Sequence, residues 1–185
     1  MSSDHNQAVQ LILGGARSGK SRMAEQVAKD SNKSVVYIAT ATIYDQEMQQ
    51  RVDRHINDRP QHWLTVEEPL QLAHAISQHS QPNTCIVVDC LTLWLTNILM
   101  SEMDESAAMN SPAMTLADHK RLLLAALASA KGQVILVSNE VGQGIVPLGE
   151  LSRRFVDEAG WLHQEIAQVA QQVTMVIAGL PMRLK

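Results

Sequence analysis

The sequence predicts an α/β fold in which a mainly parallel sheet is flanked by helices. Three observations predict it. Short apolar runs alternate along the chain with longer stretches of helical periodicity, the pattern of strand, crossover helix, strand. The runs are mostly continuous rather than alternating, as expected for strands buried on both faces. The first run ends in a glycine-rich octapeptide that leads at once into an amphipathic stretch.

Residues 9–13 form the first predicted strand, and residues 21–29 the first helix, with Met23, Ala24, Val27 and Ala28 on one face. Residues 34–39, rich in β-branched side chains, are the second strand. Residues 84–89, 134–138 and 173–178 supply three more, and 62–67 reads as a short extra strand. Helical patterns occupy 70–78, 116–130 and 161–172. Residues 101–112 are rich in Ser, Asp, Glu, Met and Asn and read as a mobile surface loop. No repeat and no long linker divides the chain, so residues 1–185 are expected to form one domain, with 1–7 as a frayed polar lead-in.

Composition excludes several function classes. Fifteen basic residues against 19 acidic ones leave a net charge of −4, which offers no global attraction to nucleic acid. No apolar run reaches the roughly 18 residues of a membrane span. The start of the chain is polar and carries Asp4, unlike a secretory leader. Cys85 and Cys90 lie too close together along one strand for a structural disulfide and read as reduced, buried thiols. A cytoplasmic location is the default expectation.

Chemistry enters with Gly14-Gly15-Ala16-Arg17-Ser18-Gly19-Lys20-Ser21, which matches G-x-x-x-x-G-K-[ST]. Gly14 and Gly19 permit backbone angles closed to other residues. The loop amides and the following helix N-terminus then cradle phosphate. Lys20 supplies a charge to the β- and γ-phosphates, and Ser21 a hydroxyl to Mg²⁺. Arg17 reads equally as a phosphate ligand or a solvated arginine. The strand 84–89 ends in Asp89, which fits a magnesium-holding acid. Its alternative is an N-cap for a helix beginning near Thr92.

A P-loop leaves the acceptor open. The guanine motif of a Ras-like GTPase is absent, while Arg153 and Arg154 are readable as the arginine finger of a motor ATPase. Residues 45–59 are more informative. Met48, Val52 and Ile56 are spaced four apart, and His55 falls seven after Met48 on the same helical stripe. His55 is then either a partly packed core residue or a nucleophile over the phosphates, flanked by Arg51, Arg54 and Arg59.

Beyond these features the chain resembles, from residue 11 to residue 185, the bifunctional adenosylcobinamide kinase / adenosylcobinamide-phosphate guanylyltransferase family of cobalamin biosynthesis. The P-loop octapeptide is common in kind. More specific are Tyr37-Ile38-Ala39-Thr40, Glu47-Met48, Arg54-His55 with Arg59-Pro60 and His62-Trp63, and Asp89-Cys90-Leu91-Thr92 leading into Thr96-Asn97. Ser138-Asn139-Glu140-Val141-Gly142, Gly144-Ile145-Val146-Pro147, and Arg154-Phe155 with Asp157 and Gly160 complete the match.

The resemblance implies the roles. ATP or GTP phosphorylates the aminopropanol hydroxyl of adenosylcobinamide. GMP from GTP is then taken onto a histidine, here His55, and passed to adenosylcobinamide phosphate to give adenosylcobinamide-GDP. The P-loop residues Gly14 to Ser21 hold the triphosphate, and Thr40, Ile56, Asn57, Asp58, Arg59, Glu67 and Asp89 line the nucleotide site. Ser21 and Asp89 hold Mg²⁺. A RecA-like P-loop NTPase fold and a homotrimer are implied as well. Two positions depart from the family pattern: Asp89 stands where some relatives carry Glu, and His163 where Asn is expected. For Glu140, a base and a cap of the next segment remain equal readings.

Overall fold

The computed structural model describes residues 9–42, 46, 60–103 and 114–185. Its elements are β1 (Val9–Gly14), α1 (Lys20–Asp30), β2 (Ser34–Ala39), β3 (Leu64–Glu67), α2 (Leu72–His79) and β4 (Thr84–Asp89). Then come α3 (Leu91–Met103), α4 (Leu116–Ala128), β5 (Gln133–Asn139), α5 (Glu150–Val169), β6 (Gln172–Ile177) and β7 (Leu180–Arg183). The seven strands make one sheet in the order β3-β2-β4-β5-β1-β6-β7, parallel except for the β6–β7 hairpin.

The continuous apolar runs resolve into two interleaved faces. Leu11, Leu13, Val36, Ile38, Ile86, Val88, Val134 and Leu136 face the larger core beneath α2 to α5, with Leu72, Trp94, Leu123 and Leu162. Ile12, Val35, Tyr37, Cys85, Val87, Ile135 and Val137 face a smaller core with Ala24 and Ala28 of α1 and with Trp63. Burial on both faces is why these strands do not alternate apolar with polar.

Register sets the edge that matters. Gly14 pairs with Asn139 on one side and with Val176 on the other. Ala39 pairs with Glu67 and with Asp89. The carboxyl ends of the parallel strands therefore form one row, the edge at which α/β folds bind ligands. One strand, β5, separates the P-loop strand β1 from β4, which ends in Asp89.

The structure departs from the sequence-based reading in four places. α3 runs to Met103, so the first residues of the expected loop 101–112 are helical; the rest of that stretch lies outside the described residues. Leu91, Trp94, Leu95, Asn97, Ile98 and Leu99 bury α3 nearly all round, which removes the stripe that would have marked a helix. α5 begins at Glu150 rather than 161 and ends at Val169, so Gln172 is already β6. Residues 150–154 are all exposed, and burial begins only with the half-buried Phe155 and Val156, which hides the first turns from a search for an apolar face. Last, β6 stops at Ile177, and Ala178 (φ 53°) and Gly179 (φ 79°) form a two-residue turn into β7. Two positive φ angles in a two-residue hairpin suit the right-handed strand twist, and alanine at the first is an unusual signal for it.

Candidate nucleotide-binding and transfer site

Gly14 closes β1 in a position that admits no side chain. A Cβ there would lie 2.4 Å from Ser18 Oγ and 2.6 Å from the Val176 carbonyl oxygen. Gly19 caps α1 with φ 98°, and Arg17 holds φ 60°. These left-handed residues curl the loop back onto itself, with Ser18 N donating to Gly15 O at 3.2 Å. The first turn of α1 carries no acidic residue, and its N-cap makes no side-chain bond. That leaves the helix N-terminus free to face an anion. Gly179 N donates to Ser18 O at 2.8 Å, so the β6–β7 turn buttresses the loop from outside.

Lys20 folds back over this loop, its Nζ donating to Gly15 O at 3.1 Å, and is buried. Burial pushes its ammonium below the ordinary value, while the negative charge of Asp89 opposes the shift. Ser21 follows at the first turn of α1, half-buried; Gly15, Ala16 and Arg17 are exposed. Ser18 Oγ is buried without a hydrogen-bond partner among the described residues. An orphaned hydroxyl costs about 1–3 kcal/mol and is the kind of local defect retained in a functional loop.

Asp89 ends β4 and accepts a hydrogen bond from Tyr37 Oη at 2.8 Å. Its backbone is tied to Thr40, whose N donates to Asp89 O at 3.2 Å. Thr40 is fully buried, and its hydroxyl donates to Cys90 O at 2.7 Å while accepting from Cys90 N at 2.9 Å. Asn97 Nδ2 in turn donates to Thr40 O at 2.8 Å and to Pro69 O at 3.1 Å. Thr40 thus fixes the turn that carries Asp89. Glu67 is exposed at the end of the edge strand β3, in the same row as Ala39 and Asp89.

On the other side of Asp89, Asn139 Nδ2 donates to Thr92 Oγ1 at 3.1 Å. Glu140 N donates to Gly14 O at 3.1 Å, which fastens the segment after β5 to the P-loop. Glu140 Oε1 accepts from Gly142 N at 2.7 Å, the capping one of its two readings, which leaves Oε2 over for the other. Its Oε2 lies 3.9 Å from His163 Nδ1, and His163 Nε2 sits 2.7 Å from the buried Ser138 Oγ. Burial lowers the pKa of His163, opposed by Glu140, so the imidazole is neutral at neutral pH. Gly179 was missed because alanine precedes it in the turn, and the Ser138–His163 contact because a strand-to-helix contact leaves no local pattern.

Arg154, readable from sequence as an arginine finger, is bound within the chain to Glu102 Oε2 at 2.6 Å. Arg153 donates to Pro147 O at 3.3 Å. His55, Ile56, Asn57, Asp58 and Arg59, with Arg51 and Arg54, lie outside the described residues.

A family model described as cobinamide kinase / cobinamide phosphate guanyltransferase matches residues 10–184. The bifunctional adenosylcobalamin biosynthesis protein CobP of Pseudomonas aeruginosa is 53% identical over 175 residues, covering 95% of this chain and 96% of the relative. The corresponding CobU of Escherichia coli is 40% identical over 182 residues, covering 95% and 98%. Among solved structures, the flagellar accessory protein FlaH from Methanocaldococcus jannaschii superposes with a TM-score of 0.51 at 13% identity. It covers 97% of this chain and 79% of its own, a likeness of fold alone. The fold is RecA-like, a mostly parallel sheet flanked by helices with the P-loop after its first strand.

Proposed function

The chain belongs to the cobinamide kinase / cobinamide phosphate guanyltransferase family and has that family's kinase and guanylyltransferase activities, and from that premise we propose how its residues divide the work. The enzyme phosphorylates adenosylcobinamide with ATP or GTP. It then transfers GMP from GTP, by way of His55, to adenosylcobinamide phosphate, giving adenosylcobinamide-GDP. The observation that carries the reading is the P-loop itself: Lys20 folded over Gly15 O, beside Asp89, at one end of a parallel sheet.

Residues Gly14 to Ser21 bind the triphosphate through loop amides, the α1 N-terminus and the Lys20 charge. Glu67 and Thr40 belong to the same edge, Thr40 acting through the turn it holds. Ser21 and Asp89 offer a hydroxyl and a carboxylate, hard oxygen donors of the kind Mg²⁺ takes. Among the described residues no group of three His, Cys, Asp or Glu side chains forms a metal cage. A magnesium ion that draws most ligands from phosphate and water needs none. When bound there, Mg²⁺ would neutralise charge on the phosphates being displaced.

His55 is the nucleophile of the guanylyl step, with Ile56, Asn57, Asp58 and Arg59 completing the nucleotide site. The connection that holds them leaves the sheet after Ala39, at the same edge as the P-loop. Fourteen residues separate Thr40 from His55, a chain able to span at most ~50 Å, ample to reach the loop. A neutral imidazole attacks phosphorus through a lone pair, and Arg51, Arg54 and Arg59 would stabilise the charge that develops. We place the enzyme in the cytoplasm as a homotrimer. Ile145, Val146 and Leu148, almost wholly exposed in the single chain, suit a face covered by another copy. No described helix is long and apolar enough to cross a membrane.

Incubation with α-labelled GTP tests the central claim. Label should appear on the protein, survive base, be lost in acid as a phosphoramidate is, and be absent from His55→Ala. Kinase turnover without any protein-bound label would leave a kinase in which His55 only packs.

A further inference from the structure

The two activities comprise three transfers at phosphorus, and they differ in what the nucleophile must lose. In the kinase step an alcohol attacks, and its O–H proton has to go. In self-guanylylation the attacking imidazole nitrogen carries no proton. In the last step a phosphate oxyanion attacks. Only the first needs a general base.

Four carboxylates among the described residues stand along the carboxyl edge of the sheet, and Glu68, its backbone N bonded to Ala39 O, spends its Oε1 on the amides of Leu70 and Gln71. Asp89 is engaged by Tyr37 and suits the metal. Glu67 ends the edge strand β3, four strands away from β1. Glu140 follows β5, the strand next to β1, and its backbone N is bonded to Gly14 O. Its Oε1 is held by Gly142 N, while Oε2 has no hydrogen-bond donor among the described residues. The side chain is 23% exposed, so the carboxylate is within reach of solvent. Behind it His163 is wedged between Glu140 and Ser138, buried and fixed at Nε2.

We propose that Glu140 is the proton acceptor of the kinase step and that His163 is a positioning residue that aims its carboxylate. The proposal rests on the functional reading given above. The substrate hydroxyl oxygen bonds to the γ-phosphorus, and the bond from that phosphorus to the bridging oxygen of the nucleoside diphosphate breaks. The hydroxyl proton passes to Oε2 of Glu140 and then to solvent. The neutral imidazole of His163, held at Nε2 by Ser138, packs behind the carboxylate with Nδ1 3.9 Å from Oε2 and limits how far it can turn into the protein.

Glu140→Gln tests it, because the amide oxygen still accepts from Gly142 N and the cap survives. Three quantities are compared with the wild type: kinase kcat and KM for ATP, the rate of protein labelling by α-labelled GTP, and the melting midpoint. We expect kinase kcat to fall about 10²- to 10⁴-fold, with KM and labelling each within about threefold of the wild type. Kinase kcat within threefold of the wild type overturns the role, and so does a parallel loss of labelling. His163→Leu should lower kinase kcat by about tenfold, and the double variant should be no slower than Glu140→Gln, since the two act as one unit. Multiplied losses in the double variant overturn the positioning role. A wild-type protein that neither phosphorylates nor takes label overturns the functional reading itself and the Glu140 role with it, a failure visible before any substitution.

Discussion

Replacing Thr40 by valine should cost far more than the loss of one hydroxyl suggests. The side chain is fully buried and serves Cys90 twice, as donor to its carbonyl oxygen and as acceptor from its amide. The carbonyl retains a second partner, Trp94 N at 3.2 Å, so on that side only the net value of a hydrogen bond is lost, about 0.5–1.5 kcal/mol. The amide has no such reserve, and a buried N–H left unpaired costs about 1–3 kcal/mol. The sum is about 2–4 kcal/mol, a large part of the stability of a domain this size. Thr40→Ser keeps both bonds and loses one methyl, about 1 kcal/mol.

Urea unfolding followed by circular dichroism separates the two variants. With a slope near 2 kcal/mol per molar, the valine variant should unfold at roughly 1–2 M less urea and the serine variant at about 0.5 M less, with unchanged slopes. Because the same turn carries Asp89, the valine variant should also need more Mg²⁺ for kinase activity. A valine variant within 0.5 kcal/mol of the wild type, or a serine variant as weak as valine, would refute the claim that the hydroxyl pins the turn.

Other expectations are shorter. Gly14→Ala places a methyl 2.6 Å from the Val176 carbonyl, a backbone atom that cannot swing away, so β1 and β6 must shift. It should lower stability by about 1–3 kcal/mol and weaken nucleotide binding, measured by calorimetric titration. Tyr37→Phe removes the one donor on Asp89 among the described residues, worth about 1–2 kcal/mol, and should raise the Mg²⁺ for half-maximal activity about five- to thirtyfold. Burial pushes the Cys85 thiol up to about 11. At pH 8 about one Cys85 in a thousand is thiolate, so a disulfide reagent should leave it unlabelled until the protein is unfolded. The raised value also sets a sign: this thiol's contribution to stability is complete below its ordinary value of 9.0 and declines as pH rises towards 11.

The strands and the P-loop were legible because each rests on a short local pattern. Six of the seven strands follow from apolar runs of four to seven residues, and the octapeptide gave Lys20 and Ser21 their places. β7 was not legible, since its turn needs two positive φ angles and offers alanine at the first. α3 was legible only at its start, near Thr92, and its extent was not, for the opposite reason: a helix buried on almost every side has no polar face to set its period. Within the site, Asp89 was readable from its position at a strand end. The support beneath it was not. Thr40, Cys90, Asn97 and Tyr37 meet only because β2, β4 and α3 are adjacent in space, across up to 57 residues of sequence. The same holds for Ser138 and His163, 25 residues apart.

Strand order bears on how one phosphate loop can serve two cuts. The sheet runs β2-β4-β5-β1 across the site, so the connection bearing His55 leaves three strand spacings from Gly14, roughly 14 Å, and Glu140 leaves one, roughly 5 Å. Two nucleophiles that reach one triphosphate from strands this far apart need not compete for the same space. The alcohol is expected near β5, where Glu140 can take its proton. His55 lies on the connection that leaves the sheet after β2, and attack by an imidazole requires no base. A kinase base and a guanylyl nucleophile on neighbouring strands would instead force one acceptor out before the other could enter. The separation also makes the two reactions independently breakable. Glu140→Gln should fall on the γ-phosphate cut and His55→Ala on the α-phosphate cut, while substitutions in the P-loop, at Asp89, or at Tyr37 and Thr40 that hold Asp89 should damage both.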